Sequence, residues 1–142
     1  MTSRNIDLAF LKRYFARDTF AAHCGIELVE AADGRAAALV RLDDRHVNGI
    51  GLVHGGLLFT LADLAFAAAA HTRGQVSVSA SSTISYIKAA QGKVIRAQAR
   101  EVTRNRRLGS YTVDLLDETE EIVAVFQGLA YFKREAVTDA CS

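Results

Sequence analysis

Asp63 is the only charged side chain between Gly55 and Ala70, in a run that reads GGLLFTLADLAFAAAA. An ionised carboxylate in such surroundings is costly unless a partner or a shifted pKa relieves it. No Lys or Arg stands three or four residues away, so no helical ion pair within the run does so. The acid is an accident, the partner of a group from elsewhere in the fold, or a working group. The glycine pair favours work. If Gly55 and Gly56 open a helix, their N–H groups are first-turn donors without an intrahelical acceptor. Glycine also lets a ligand approach that backbone closely, and the helix dipole favours an oxyanion or polarised carbonyl there. Asp63 lies eight residues further on, which is roughly 12 Å along a helix. One helix cannot bring both groups to one carbonyl carbon. Two antiparallel helices in a two-fold dimer can. A carboxylate attacking, or activating water against, a carbonyl held by backbone N–H groups makes an acyl-transfer site.

The elements that must position these groups follow from periodicity. Residues from about Ile6 to Ala22 have helical spacing, with Asp18 placed to cap a second short turn that Gly25 ends. Ile26–Val29 and Ala36–Leu42 read as strands joined by the hairpin signal Asp33-Gly34. A loop through Asn48 leads to an apolar helix from Gly55 to about Thr72, stopping near Gly74. Four strand candidates follow as a meander: Val76–Tyr86, Lys93–Thr103, Gly109–Leu116 and Glu121–Phe132. In the first, Val76, Val78, Ala80, Ile84 and Tyr86 alternate strictly with Ser77, Ser79, Ser81, Thr83 and Ser85. A helix apolar on all sides must be covered on all sides. The expected architecture is therefore α+β, with an antiparallel sheet of about six strands curled around the central helix.

Asn48, His54-Gly55-Gly56 and Thr60-Leu61-Ala62-Asp63 on an apolar helix resemble the signature of hotdog-fold acyl-CoA thioesterases of the phenylacetate-degradation (PaaI-like) type. The resemblance extends in element order from about Gly25 to Phe132. It implies that the Gly55 N–H polarises a thioester carbonyl and that Asp63 of a partner subunit is nucleophile or general base. It also implies that Asn48 and His54 hold the thioester or the attacking water. A serine on the following strand would assist, Ser79 on spacing and Ser77 next. The products would be a free acid and coenzyme A, from a homodimer or a dimer of dimers, with no cofactor beyond the substrate. Gly56, Leu57, Leu58, Phe59 and Phe66 are the expected pocket residues. Arg104, Arg106, Arg107 and Lys88 are the candidates for the coenzyme A phosphates, with Arg134 behind them. The alternatives are a hotdog-fold enoyl-CoA hydratase and a non-catalytic acyl-CoA-binding or sensing module.

Blander readings stand beside several of these. His54 is equally a helix-start residue contacting its own turn, and Asn48 before Gly49 is most often a turn residue. His71 at the helix end suits the dipole as a cation. His54, Asp63 and His71 are nine and eight residues apart, not the spacing of ligands on one helical face, so no metal site is expected. With 142 residues, half of them apolar, no proline and no repeat, a single domain over 1–142 is expected. It would comprise an N-terminal helical segment (about 6–24), a core (about 25–134) and a short tail. A net charge of +1 makes no case for nucleic acid or an anionic membrane. Cys24 and Cys141, far apart, fit free thiols in a reducing compartment. With no leader pattern at the start and no apolar run of spanning length, a cytoplasmic location is expected.

Overall fold

A computed structural model describes residues 6–138. Two short helices, α1 (Leu8–Phe15) and α2 (Thr19–His23), come first. The Asp7 carboxylate caps α1 by accepting from the Phe10 N–H at 2.9 Å, and Asp18 caps α2 by accepting from the Ala21 N–H at 3.0 Å. Strands β1 (Ile26–Ala32) and β2 (Arg35–Arg41) turn at Asp33 and Gly34, with φ of 51° and 78°. Positive φ at both positions is what an Asp-Gly hairpin supplies. A 3-10 turn at Asp44–His46 and a loop precede α3 (Gly55–His71). Strands β3 (Gln75–Tyr86), β4 (Val94–Arg104), β5 (Leu108–Leu116) and β6 (Ile122–Ala136) complete the chain.

The six strands form one sheet in the order β1-β2-β4-β5-β6-β3, each neighbouring pair antiparallel. It is open: β1 and β3 are edges that do not pair with each other. The expectation of a sheet curled around a central helix is therefore overturned. Instead α3 lies on one face, and the reason is legible on the helix itself. Leu58, Leu61, Ala62, Ala65, Phe66, Ala68 and Ala69 are buried, whereas Gly56 is exposed and Thr60, Asp63 and Ala67 are half-buried. Spaced four, three and four residues apart, these form one stripe, and nothing among the described residues covers it fully.

The four-strand meander also needs correction. β3 pairs with β6, not with β4. The 87–93 link crosses the end of the β5–β6 hairpin rather than turning back. Its backbone is caught there: Val123 O accepts from Ile87 N–H, Asp117 Oδ2 from Gln91 N–H and Glu118 Oε1 from Lys93 N–H. The Thr119 hydroxyl first, and then the Gln91 N–H, hold the Asp117 carboxyl down at about 2.

The strict alternation of β3 fails at one residue. Ser79 registers with Ala130 and Ser81 with Leu129, so Ala80 is extra and forms a bulge. Register partners share a face. Ser77, Ser79, Ser82, Ile84 and Tyr86 therefore share the face of Phe132, Ala130, Gly128, Phe126 and Ala124, all buried beneath α3. Ser81, Thr83 and Ser85 point to the other side. The bulge moves the face from odd to even positions.

Candidate active site

The first turn of α3 is built around its glycines. His54 is the N-cap, and its Nδ1 accepts from the Gly56 N–H at 2.8 Å. That bond leaves the other imidazole nitrogen, Nε2, as the protonated one. A Cβ at Gly56 would sit 3.0 Å from His54 Nδ1. A Cβ at Gly55 would sit 3.1 Å from the Tyr86 ring, and the Tyr86 hydroxyl donates to the Gly55 carbonyl at 3.0 Å. Each glycine thus makes room for an aromatic ring. The Gly55 N–H opens the helix and has no acceptor among the described residues, as the geometry of a first turn dictates.

Asp63 lies two turns further on, within the uncovered stripe. No donor or cation reaches its carboxylate among the described residues. Burial pushes its carboxyl above its ordinary value, and the negative charge of Asp18, at the start of α2, pushes the same way. A half-buried, unpartnered carboxyl with a raised pKa is the kind of group that does acid–base work.

Asn48 is committed to its own loop. Its Oδ1 accepts from the N–H groups of Ile50 and Leu52, each at 3.0 Å. Only the side-chain NH2 is left to reach a substrate. Ser79 lies on the helix-facing side of β3, exposed, with its Oγ 2.8 Å from Ser82 Oγ. Ser77 is drawn elsewhere, its N–H donating to His71 Nε2 at 3.3 Å. His71 Nδ1 donates to the Ala67 carbonyl at 2.6 Å, so this ring is neutral. Burial lowers its pKa, and the Tyr14 and Phe15 rings pack on it. It is no cation at a helix end.

The expected pocket residues separate. Leu57 and Phe66 are buried, at 6% and 2% exposure. Phe66 packs on Tyr111 and Phe126 with ring centroids 5.5 and 5.8 Å apart. It seats α3 on the sheet and does not face an opening. Phe59 is half-buried, edge-on to Phe126 at 5.4 Å. Among the basic candidates Lys88 stands apart, by the β5–β6 turn, from the arginines of the β4–β5 turn. The Lys88 ammonium pairs with Glu121 and lies 3.8 Å from Asp117. Arg104 donates to Gln75 Oε1 at 3.1 Å and lies over Phe132, 4.1 Å from the ring centroid. Arg106 and Arg107 stay at the β4–β5 tip, exposed and half-buried respectively. Sequence reasoning gave Tyr86 no role, yet it holds the Gly55 peptide. The one available signal was its place on the β3 face that carries Ile84.

Cys24 is a free thiol, and Cys141 lies outside the described residues. Among the described residues no cluster of three or more His, Cys, Asp or Glu side chains is placed to hold a metal ion. No helix there is long and apolar enough to cross a membrane.

Comparison with known proteins adds a family to this geometry. The Thioesterase superfamily pattern matches residues 50–124. The acyl-coenzyme A thioesterase PaaI of Escherichia coli is 28% identical over 118 residues, which are 82% of this chain and 84% of that protein. The solved structure of the E. coli PaaI protein superposes with a TM-score of 0.85 at 26% identity, covering 92% of this chain and 95% of that one. Human acyl-coenzyme A thioesterase 13 is 33% identical over 103 residues, 70% of this chain and 74% of that protein.

Proposed function

This chain is a PaaI-like enzyme of the hotdog-fold thioesterase superfamily, and from that premise we propose that it hydrolyses acyl-CoA or aryl-CoA thioesters at a site shared between two copies. The observation that carries the reading is Asp63, an unpartnered acid with a raised pKa on the uncovered stripe of an otherwise buried helix. The Gly55 N–H of one subunit polarises the thioester carbonyl. Asp63 of the partner subunit attacks that carbon or takes a proton from the attacking water. Water supplies the hydroxyl of the free acid, and the thiol of coenzyme A leaves carrying the proton. The His54 Nε2–H and the Asn48 NH2 are the remaining donors near the carbonyl, and Ser79 assists from β3.

The names of the E. coli and human relatives support the acyl-CoA assignment. The open edge of β3 supports the pairing. It is twelve residues long, carries no Lys, Arg or Pro, and shows the lack of edge protection expected of a strand that pairs with a second copy. Two such edges joined across a two-fold axis lay the two α3 stripes side by side, and two dimers then build the tetramer.

The test is a hydrolysis screen over acetyl-, medium-chain and aryl-CoA thioesters, with sedimentation at micromolar concentration. Thiol release from at least one thioester by a dimer or larger species is expected. An active monomer would exclude the shared site. Hydration of an enoyl-CoA without thiol release would favour a hydratase, and tight binding without turnover a sensing module.

A further inference from the structure

The loop that leads into α3 spends its polar groups on itself and turns apolar side chains outward. Val47, Ile50 and Leu52 are 46%, 80% and 46% exposed. Asn48 Oδ1 takes the Ile50 and Leu52 N–H groups, the Asn48 N–H donates to Leu52 O at 2.7 Å, and the Gly51 N–H donates to Asn48 O at 3.0 Å. Gly51, at φ 81°, makes the bend. A Val47–Val53 bridge and the His54 N–H to His46 O bond at 2.8 Å close the base. Nothing lies within 4 Å of the Cβ positions at Gly49 or Gly51, so the tip is open. A stiff loop with three exposed apolar side chains is a preformed apolar surface, ordered before any ligand arrives.

We infer that this loop is the acyl-recognition edge of the site and that Ile50 sets acyl chain-length preference. The inference rests on the acyl-CoA reading above. Ile50 stands five residues before Gly55 and Leu52 three, spans of at most roughly 17 and 10 Å, and the bend at Gly51 shortens the first. The loop therefore lies within reach of whatever the Gly55 N–H holds. Of the parts of an acyl-CoA thioester, a medium-length acyl chain is the longest uninterrupted apolar segment. The methylenes and methyls of the pantetheine arm are broken up by amides and a hydroxyl, and the nucleotide carries charge, so an apolar tip complements the chain best.

The experiment compares kcat/KM for acetyl-CoA and decanoyl-CoA, with sedimentation of each variant. Ile50→Ser is expected to lower the decanoyl-to-acetyl ratio by about tenfold or more, with Ile50→Leu restoring most of it and the oligomer unchanged. Equal losses on both substrates would overturn the inference. So would dissociation of the Ile50→Ser oligomer, which would assign the tip to a contact between copies. Wild-type protein inert to every acyl-CoA would fail at the reaction itself, a result separable from a flat chain-length profile on an active enzyme.

Discussion

Gly128→Ala tests how α3 is seated. Gly128 on β6 registers with Tyr111 on β5 and Ser82 on β3, beneath the helix. A Cβ there would lie 2.8 Å from two Phe66 ring carbons and 2.9 Å from a third. These are ring atoms in a closed core, with Phe66 2% and Tyr111 0% exposed, so no flexible end can yield. Overpacking of this kind costs about 1–3 kcal/mol. Against it, a methyl in place of glycine restricts the unfolded chain and returns roughly 0.5–1 kcal/mol. A net loss of about 1–2 kcal/mol is expected in urea unfolding, at fixed protein concentration because an oligomer's stability depends on it. Phe66→Leu should make room, so the double variant loses less than the sum of the singles, by about 1 kcal/mol. The helix carrying Gly55 and Asp63 is displaced in Gly128→Ala, and turnover falls with it, since misplacement of about 1 Å can cost on the order of a hundredfold. Wild-type stability in Gly128→Ala, or strict additivity in the cycle, would refute this account of the seating.

Two further outcomes follow from side-chain hydrogen bonds to carbonyls of α3. The folded pKa of His71 is lowered below 6.5. Its contribution is complete above that value and declines as pH falls towards the folded pKa, because the unfolded chain takes the proton first, at up to about 1.4 kcal/mol per pH unit. Urea midpoints between about pH 7.5 and pH 5 should show this slope, and His71→Gln should flatten it; an unchanged slope would mean that another group carries it. Tyr86→Phe removes the hydroxyl bond to the Gly55 carbonyl. A loss of about 0.5–1 kcal/mol is expected, together with a fall in kcat at nearly constant KM. Unaltered kcat would show that the first turn of α3 needs no such support.

Much of this fold was legible because its signals are local. The Asp18 cap, the Asp33-Gly34 hairpin and the α3 boundaries are each written in a few adjacent residues. What was not legible depends on partners distant in sequence. Ala80 sits in a serine-rich strand with nothing to mark a bulge, yet it decides that Ser79 and Ser82 share a face. The placement of β3 at the far edge beside β6 goes with the 87–93 link being caught by Asp117 and Glu118, 26 and 25 residues downstream of the groups they hold. The all-round apolarity of α3 suggested an enclosing sheet, whereas small residues at Gly56, Thr60 and Ala67 mark the stripe left open. Phe66 is chemically indistinguishable from a pocket wall until Gly128 is known to lie beneath it. The Asn48 turn reading was available from Asn48-Gly49, and the loop bonds favour it for the side-chain oxygen.

Asp63→Asn is the most direct measurement of the central claim. The amide keeps the size of the side chain and removes its charge and basicity, and stability at neutral pH should hold or rise. The sign follows from the raised folded pKa: the carboxyl's contribution is complete below about 3.8 and is lost as pH climbs through the folded value. Turnover of the acyl-CoA thioester that wild-type hydrolyses best should fall by several orders of magnitude, while a non-hydrolysable analogue still binds, because the Gly55 N–H remains. Near-normal turnover in Asp63→Asn would contradict the account and leave Asp63 a structural acid.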